Sequence, residues 1–314
     1  MGKSRGRRIA LLGVIVLAFL GIYLTGILTY ISVEESVTLY RNDSLEADKL
    51  EVTVQLIAVD AVRREVSARL DFVIKGNLTS DQGYSVNRNL KLLVNNASGQ
   101  KDNNQREFLL EKGKLLPAVD ITLALENGNI REYPFDTYNM NLVLILIKVP
   151  DDNKEQNIIE AETVPMDLEI FTNIPNYRIK VSNPQKAEEG LFTVQHTVER
   201  TFPVRFFFIF VMSIFTIVSI TAFLVVLIIA LRIYRLDTLG NDIFSYLAAL
   251  LFAFPALRLA LPDSPPIGTW CDFLVFFWAV GLIGLTLVVA VITWLVRQRQ
   301  VDLAKEKATQ AAEG

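Results

Sequence analysis

Four runs of the chain are almost free of polar side chains, and between the first two lies a long stretch in which apolar and polar residues alternate. Residues 9–31 (23 residues), 206–231 (26) and 273–296 (24) contain no charge, and 243–261 (19) contains only Arg258. A bilayer core about 30 Å thick is crossed by ~20 helical residues, so transmembrane helices are predicted at 9–31, 205–231, 243–261 and 273–296. A cleaved secretory signal is the alternative for 9–31. Such signals carry an apolar region of ~7–15 residues and a small-residue cleavage site; the run here is longer and ends Thr29-Tyr30-Ile31-Ser32, which fits a retained anchor better.

Residues 32–204 read differently. Segments 50–59 and 65–74 alternate apolar with polar side chains, the period of a strand with one wet face. Further strand-like runs fall at 89–94, 107–110, 119–125, 140–149, 166–170, 177–181 and 191–198, separated by turn-forming clusters such as Glu126-Asn127-Gly128-Asn129. Some nine short strands without a competing helical period predict one antiparallel β-sandwich. The expected class is an α+β membrane protein: a β-sandwich ectodomain plus four transmembrane helices. The end of the tail, 301–314, is rich in Ala, Lys, Glu and Gln and reads as a frayed helix.

Charge orients these segments. Lys3, Arg5, Arg7 and Arg8 precede the first run, Arg232 and Arg235 follow the second, and Arg297, Arg299, Lys305 and Lys307 follow the fourth, whereas the loop 262–272 has no basic residue. Cytoplasmic flanks carry the Lys and Arg excess. The expected arrangement is therefore a cell-membrane protein with cytoplasmic 1–8 and 297–314 and the β domain outside. The chain's net charge of −3 conceals a split, because 33–204 holds 19 basic and 27 acidic residues while the rest is net positive. No basic surplus points to nucleic acid.

Candidate chemistry is sparse. One Cys and one His exclude a Cys/His zinc site, an internal disulfide and a multi-histidine redox centre. Neither a Walker pattern nor GxGxxG occurs, His196 has only Glu199 as a relay candidate on its own strand, and Cys271 belongs at the outer membrane interface. The expectation is no enzyme and no cofactor. Three Asn-x-Ser/Thr triplets, at Asn42, Asn77 and Asn96, fall in the outer segment at about the frequency chance gives.

More specific is Tyr133-Pro134-Phe135-Asp136, directly before the most apolar strand. Proline makes a rigid corner, Phe135 is the expected buried anchor, and Asp136 can accept backbone N–H groups. This aromatic-Pro-Phe-Asp loop, followed 64 residues later by Arg200 and an apolar helix, resembles pentameric ligand-gated ion channels. In that resemblance Arg200 stands for the arginine before the first pore-domain helix, and 261–268 for the linker after the pore-lining helix. Asp237 then falls near the acidic ring of cation-selective members and Ser245 on the pore-facing stripe. The chain departs from them in having no Trp in the outer domain and a membrane helix before the β domain instead of a fourth one after it. Over nearly its whole length the chain is similar to an uncharacterised family of bacterial and fungal membrane proteins, domain of unknown function 4436. The matching residues are Tyr133-Pro134-Phe135-Asp136, Phe252-Ala253-Phe254-Pro255-Ala256-Leu257-Arg258, Pro265-Pro266-Ile267-Gly268 and Asp272. That resemblance implies architecture and no known activity.

The third apolar run carries the remaining signal. Pro255 removes a backbone hydrogen bond within it, and Arg258 lies one turn beyond. Arg258 can snorkel to the interface, or face the bundle and pair with Asp263, Asp272 or Asp136, since unpaired charges inside a membrane are costly. The expected coupling residues are therefore Tyr133, Pro134, Phe135, Asp136, Arg200, Pro255, Arg258, Asp263 and Asp272. The expected function is binding or sensing through the outer domain, with the bilayer, an outer ligand or partner and other copies of the chain as partners. A pentameric channel using Asp237 and Ser245 is the alternative. Trp270, Trp278 and Trp294 read as membrane anchors.

Overall fold

The computed structural model describes residues 21, 24, 37–42, 47–79, 85–96, 105–149, 162–188, 191–231 and 241–313. The first predicted helix, apart from two residues, and Asp237 lie outside them. The chain forms two compact units, one comprising 1–130 and 134–204, the other Arg131–Tyr133 and Arg205–Gly314.

The first unit is β-rich. Its strands are β1 (Val37–Asn42), β2 (Lys49–Asp60), β3 (Glu65–Lys75), β4 (Leu90–Asn96), β5 (Gln105–Leu110), β6 (Val119–Glu126), β7 (Thr137–Lys148), β8 (Met166–Thr172), β9 (Tyr177–Glu188) and β10 (Leu191–Arg200). They form one sheet in the order β1-β8-β2-β3-β6-β7-β10-β9, with β4 branching from β7 and β5 pairing with β4. The turning point is β6, whose residues Val119–Ala124 pair with β3 while Leu125 and Glu126 pair with β7. The sheet thereby encloses a single core, to which β2 contributes Leu50, Val52, Val54 and Leu56, β7 Met140, Leu142, Leu144 and Leu146, and β10 Phe192, Val194 and Val198. Fully burying such side chains is worth ~1.5–3 kcal/mol each, and the period-2 pattern is what turns them to one face.

Three features differ from the expectation. β1 was not predicted; it is a six-residue edge strand in which no side chain is fully buried, so its pattern is weak. The sheet is not wholly antiparallel, because β2 and β8 pair in parallel from Leu50↔Met166 to Leu56↔Thr172. Pairing of strands this distant in sequence leaves no local trace. Alternation also breaks at the β2 bulge between Leu56 and Ala58, which leaves Ile57 exposed.

Turns follow their local chemistry. The Asp60 carboxylate accepts the N–H groups of Val62 and Arg63 at 3.0 and 2.9 Å, closing the β2–β3 hairpin. After β6, Asn127 takes φ 55° and Gly128 packs against the Tyr138 ring so closely that a Cβ would stand 1.8 Å from a ring carbon. Only glycine fits there.

The second unit contains α1 (Phe202–Ala230, from Arg205 onward), α2 (Asn241–Leu259), a π-helical turn (Asp272–Phe276) and α3 (Phe277–Glu313). Among the described residues these are three helices long and apolar enough to cross a membrane. Each buries a stripe: Phe208, Phe215, Ala222 and Val226 on α1; Leu247, Phe254 and Arg258 on α2; Ala279, Ile283 and Ala290 on α3. Phe215 lies among them, its ring stacked on Phe254 at 4.4 Å and tilted against Phe276 at 6.2 Å. The helix does not stop with the apolar run at 296: α3 continues through the tail, read from sequence as a frayed helix, to Glu313, and the Arg297 guanidinium donates to the Ile229 carbonyl at 2.8 Å, capping the end of α1.

Candidate coupling site

Most of the predicted coupling residues fall into two clusters, one in each unit, while Phe135 and Asp263 are exposed. In the β unit, antiparallel register pairs Glu199 with Thr137, which brings Arg200, the last residue of β10, beside Asp136, just ahead of β7. Arg200 Nε donates to Asp136 Oδ1 at 3.0 Å and Oδ2 at 3.3 Å, and Nη2 to Oδ2 at 3.3 Å. Both side chains are almost wholly buried, and the guanidinium carbon lies 4.7 Å from the centre of the Tyr177 ring. Burial, then the neighbouring Asp136 charge, pushes the Tyr138 hydroxyl's pKa upward. A bidentate Arg–carboxylate pair in such surroundings fixes geometry as well as charge.

In the helical unit, Arg258 Nε donates to Asp272 Oδ1 at 2.6 Å and Nη2 to Oδ2 at 2.9 Å. Asp272 Oδ2 also accepts from the Gly268 N–H, the Thr269 N–H and the Thr269 hydroxyl, each at 2.9 Å. Arg258 and Asp272 are fully buried, so the pair ties the end of α2 to the start of the next helix and gathers their loop around one carboxylate. The snorkelling reading of Arg258 is overturned: its guanidinium is wholly enclosed. So is its pairing with Asp136, which Arg200 holds, and with Asp263, which is exposed at φ 46°.

Tyr133 belongs to this second cluster. Its hydroxyl donates to the Pro262 carbonyl at 2.9 Å, its ring stands edge-on to Phe208 at 5.2 Å, and the Arg258 guanidinium lies 5.8 Å from its centre. Pro134 is buried; Phe135 is not. The expected buried foot of the loop is Tyr133, and Phe135 is half-exposed. The alternation of the following strand explains the swap: Asp136, Tyr138 and Met140 face inward, so the odd positions from Phe135 onward face outward. Pro255 lies inside α2 one turn before Arg258, and Ser245 is exposed on the same helix.

Sequence reasoning missed Tyr177, Tyr138, Phe208 and Thr269. Thr269-x-x-Asp272 carries a readable signal, since a Ser/Thr three residues before an acid marks a helix start; Tyr177 on β9 and Phe208 on α1 come from segments distant in sequence and carry none. His196 lies in the β core with neither ring nitrogen in hydrogen-bond geometry. Burial lowers its pKa to about 4, opposed by the nearby Val194 and Met140 backbone. Of the three sequons, the Asn42 amide nitrogen is buried, Asn77 is exposed with its amide donating to Asp48 at 3.1 Å, and the Asn96 side chain lies outside the described residues.

These features define a class: an α+β protein with a β-rich unit and membrane-length helices, bound by two buried Arg–Asp pairs. The chain belongs to the family described as domain of unknown function DUF4436, whose profile matches residues 40–199; that of a second, DUF8686, matches 200–297. The join between the two profiles falls inside the first pair, Asp136 in one and Arg200 in the other. No curated protein matches the chain.

Proposed function

We propose that this chain is a multi-pass membrane protein without enzymatic activity. Its β unit, outside the cytoplasm, binds a ligand or partner, and its helices respond to that binding. The observation that carries the reading is the loop between β6 and β7, which leaves the β unit for Arg131–Tyr133 and returns at Pro134. The chain passes between the units at this loop and again after Val204. Within the β unit Arg200 grips Asp136, and within the helical unit the Tyr133 hydroxyl reaches the Pro262 carbonyl, so in this reading a displacement of β7 or β10 travels along the chain itself, from Asp136 to Tyr133. Basic flanks support cytoplasmic termini, and the inward-facing residues on both sides of the β6 turn support the two-layered sandwich.

A homo-oligomeric channel is the second reading, favoured by α2. It is the least apolar of the three candidate spans, yet only 17% of its apolar window is buried, against 33% and 28% for the others. Lipid is a poor cover for such a helix; a second copy is a better one. Native mass measurement in detergent and current recording from planar bilayers separate the two. The sensing reading expects a monomer or dimer that carries no current. A conducting pentamer, sensitive to substitution of Ser245, would replace it with the channel.

A further inference from the structure

Within the loop Tyr133–Asp136 three residues are enclosed and one is not: Tyr133, Pro134 and Asp136 are buried, and Phe135 is 50% exposed. Exposed phenylalanine on a mobile loop would mean little. This one is pinned on its C-terminal side by Asp136, whose carboxylate is held in a bidentate grip by Arg200. Arg200 stands two residues before the start of α1. Adjacent Cα atoms are ~3.8 Å apart, so the Phe135 backbone is fixed within a few residues' reach of the point where the chain enters its first described apolar helix.

That point is marked by aromatic and basic residues of interfacial type. Phe202 is 58% exposed, Arg205 is the last charge before the 26-residue apolar run, and Phe207 is 45% exposed. Aromatic side chains concentrate where hydrocarbon gives way to headgroups, and a charged residue beside them suits the headgroup side. Arg131 and Glu132, both exposed, give the Phe135 loop the same mixed character. We infer that Phe135 is a lipid contact: its ring sits in the interfacial layer of the bilayer, next to Phe202, and makes the coupling loop a surface that touches the membrane directly. The inference rests on the membrane reading above.

The test uses the full-length protein in liposomes, with Cys271→Ser and Phe135→Cys carrying an environment-sensitive fluorophore. The expected result is that shallow lipid-borne nitroxide quenches at least about half of the emission while aqueous iodide does little, as for an interfacial side chain. A label at Leu115→Cys is the aqueous control. Leu115 is 73% exposed and precedes β6, the opposite end of that strand from the loop. Iodide quenching of the 135 label as strong as that of the 115 label overturns the inference. Quenching by neither reagent overturns it as well, because protein then covers the site. Should the labelled variant misfold, Phe135→Trp, compared with the unsubstituted protein in brominated lipid, gives the same reading with almost no change in shape. The native emission of Trp270, Trp278 and Trp294, all exposed in the helical unit, separates the two failures in an unlabelled sample. If brominated lipid leaves that emission unchanged, the membrane reading falls; if it quenches the native emission but not position 135, only the Phe135 contact falls.

Discussion

Arg200 and Asp136 are each the other's main compensation for burial. Removing one partner of a buried pair strands the other charge and costs ~3–5 kcal/mol, whereas replacing both with apolar groups is often near neutral. Arg200→Met or Asp136→Leu alone is therefore expected to lower the melting temperature of the β unit sharply, and the double variant to recover much of the loss. His196 gives this unit a pH dependence. Its folded pKa of about 4 lies below the ordinary 6.5, so between these values the unfolded chain binds the proton more readily. Stability is fully present above the unfolded pKa and falls as pH drops from 6.5 to 4, by on the order of 3 kcal/mol at 1.36 kcal/mol per unit. Urea midpoints measured across that window should flatten in His196→Leu; an unchanged slope would assign the effect to other groups. Gly128 is a third such residue. Gly128→Ala drives a methyl into the fully packed Tyr138 ring, and overpacking of this kind costs ~1–3 kcal/mol or more.

At the scale of elements, strand periodicity was legible because each strand buries one face on a common core. Eight of the nine predicted strands end within a few residues of their observed ends, and the ninth, 177–181, is continued by β9 to Glu188. β1 escaped because it buries nothing fully, and the parallel β2–β8 pairing escaped because a strand's pattern names its wet face, not its neighbour. Helix ends were harder. An apolar run shows where lipid ends, not where hydrogen bonding ends, so α3 exceeds its predicted span by 17 residues, from 296 to Glu313. Its Arg297 is read from sequence as a cytoplasmic charge; the structure gives it a second task at the end of α1. Arg297→Ala should destabilise the helical unit by ~1 kcal/mol through the lost cap and its interaction with the helix dipole, measured as a lower unfolding temperature in detergent, while Arg299→Ala should change little.

For the whole molecule, the chain crosses between the two units at 130–134 and after Val204, and each unit holds its own side of those crossings with a short list of side chains. Tyr133→Phe keeps the ring against Phe208 and removes only the hydroxyl that reaches Pro262, a change worth ~1 kcal/mol. Hydrogen exchange should quicken in residues 261–269 and stay unchanged in β2 and β3. Equal quickening throughout would mean that the loop is a structural prop for both units rather than a joint between them. The split in charge, acidic in 33–204 and basic elsewhere, belongs to this scale too.

What the sequence determined by itself was everything governed by local period and length: strands, membrane-length helices and the residues worth watching, Tyr133 to Asp136, Arg200, Arg258 and Asp272. Partner choice was beyond it. Three carboxylates stood within reach of Arg258 on paper, and only tertiary structure gave Asp272 to Arg258 and Asp136 to Arg200. The same holds for which aromatic ring of the loop goes inward. Alternation and proline fix that a corner exists, but a buried charge takes the partner whose backbone already presents further hydrogen bonds, and that geometry arises only when distant segments meet.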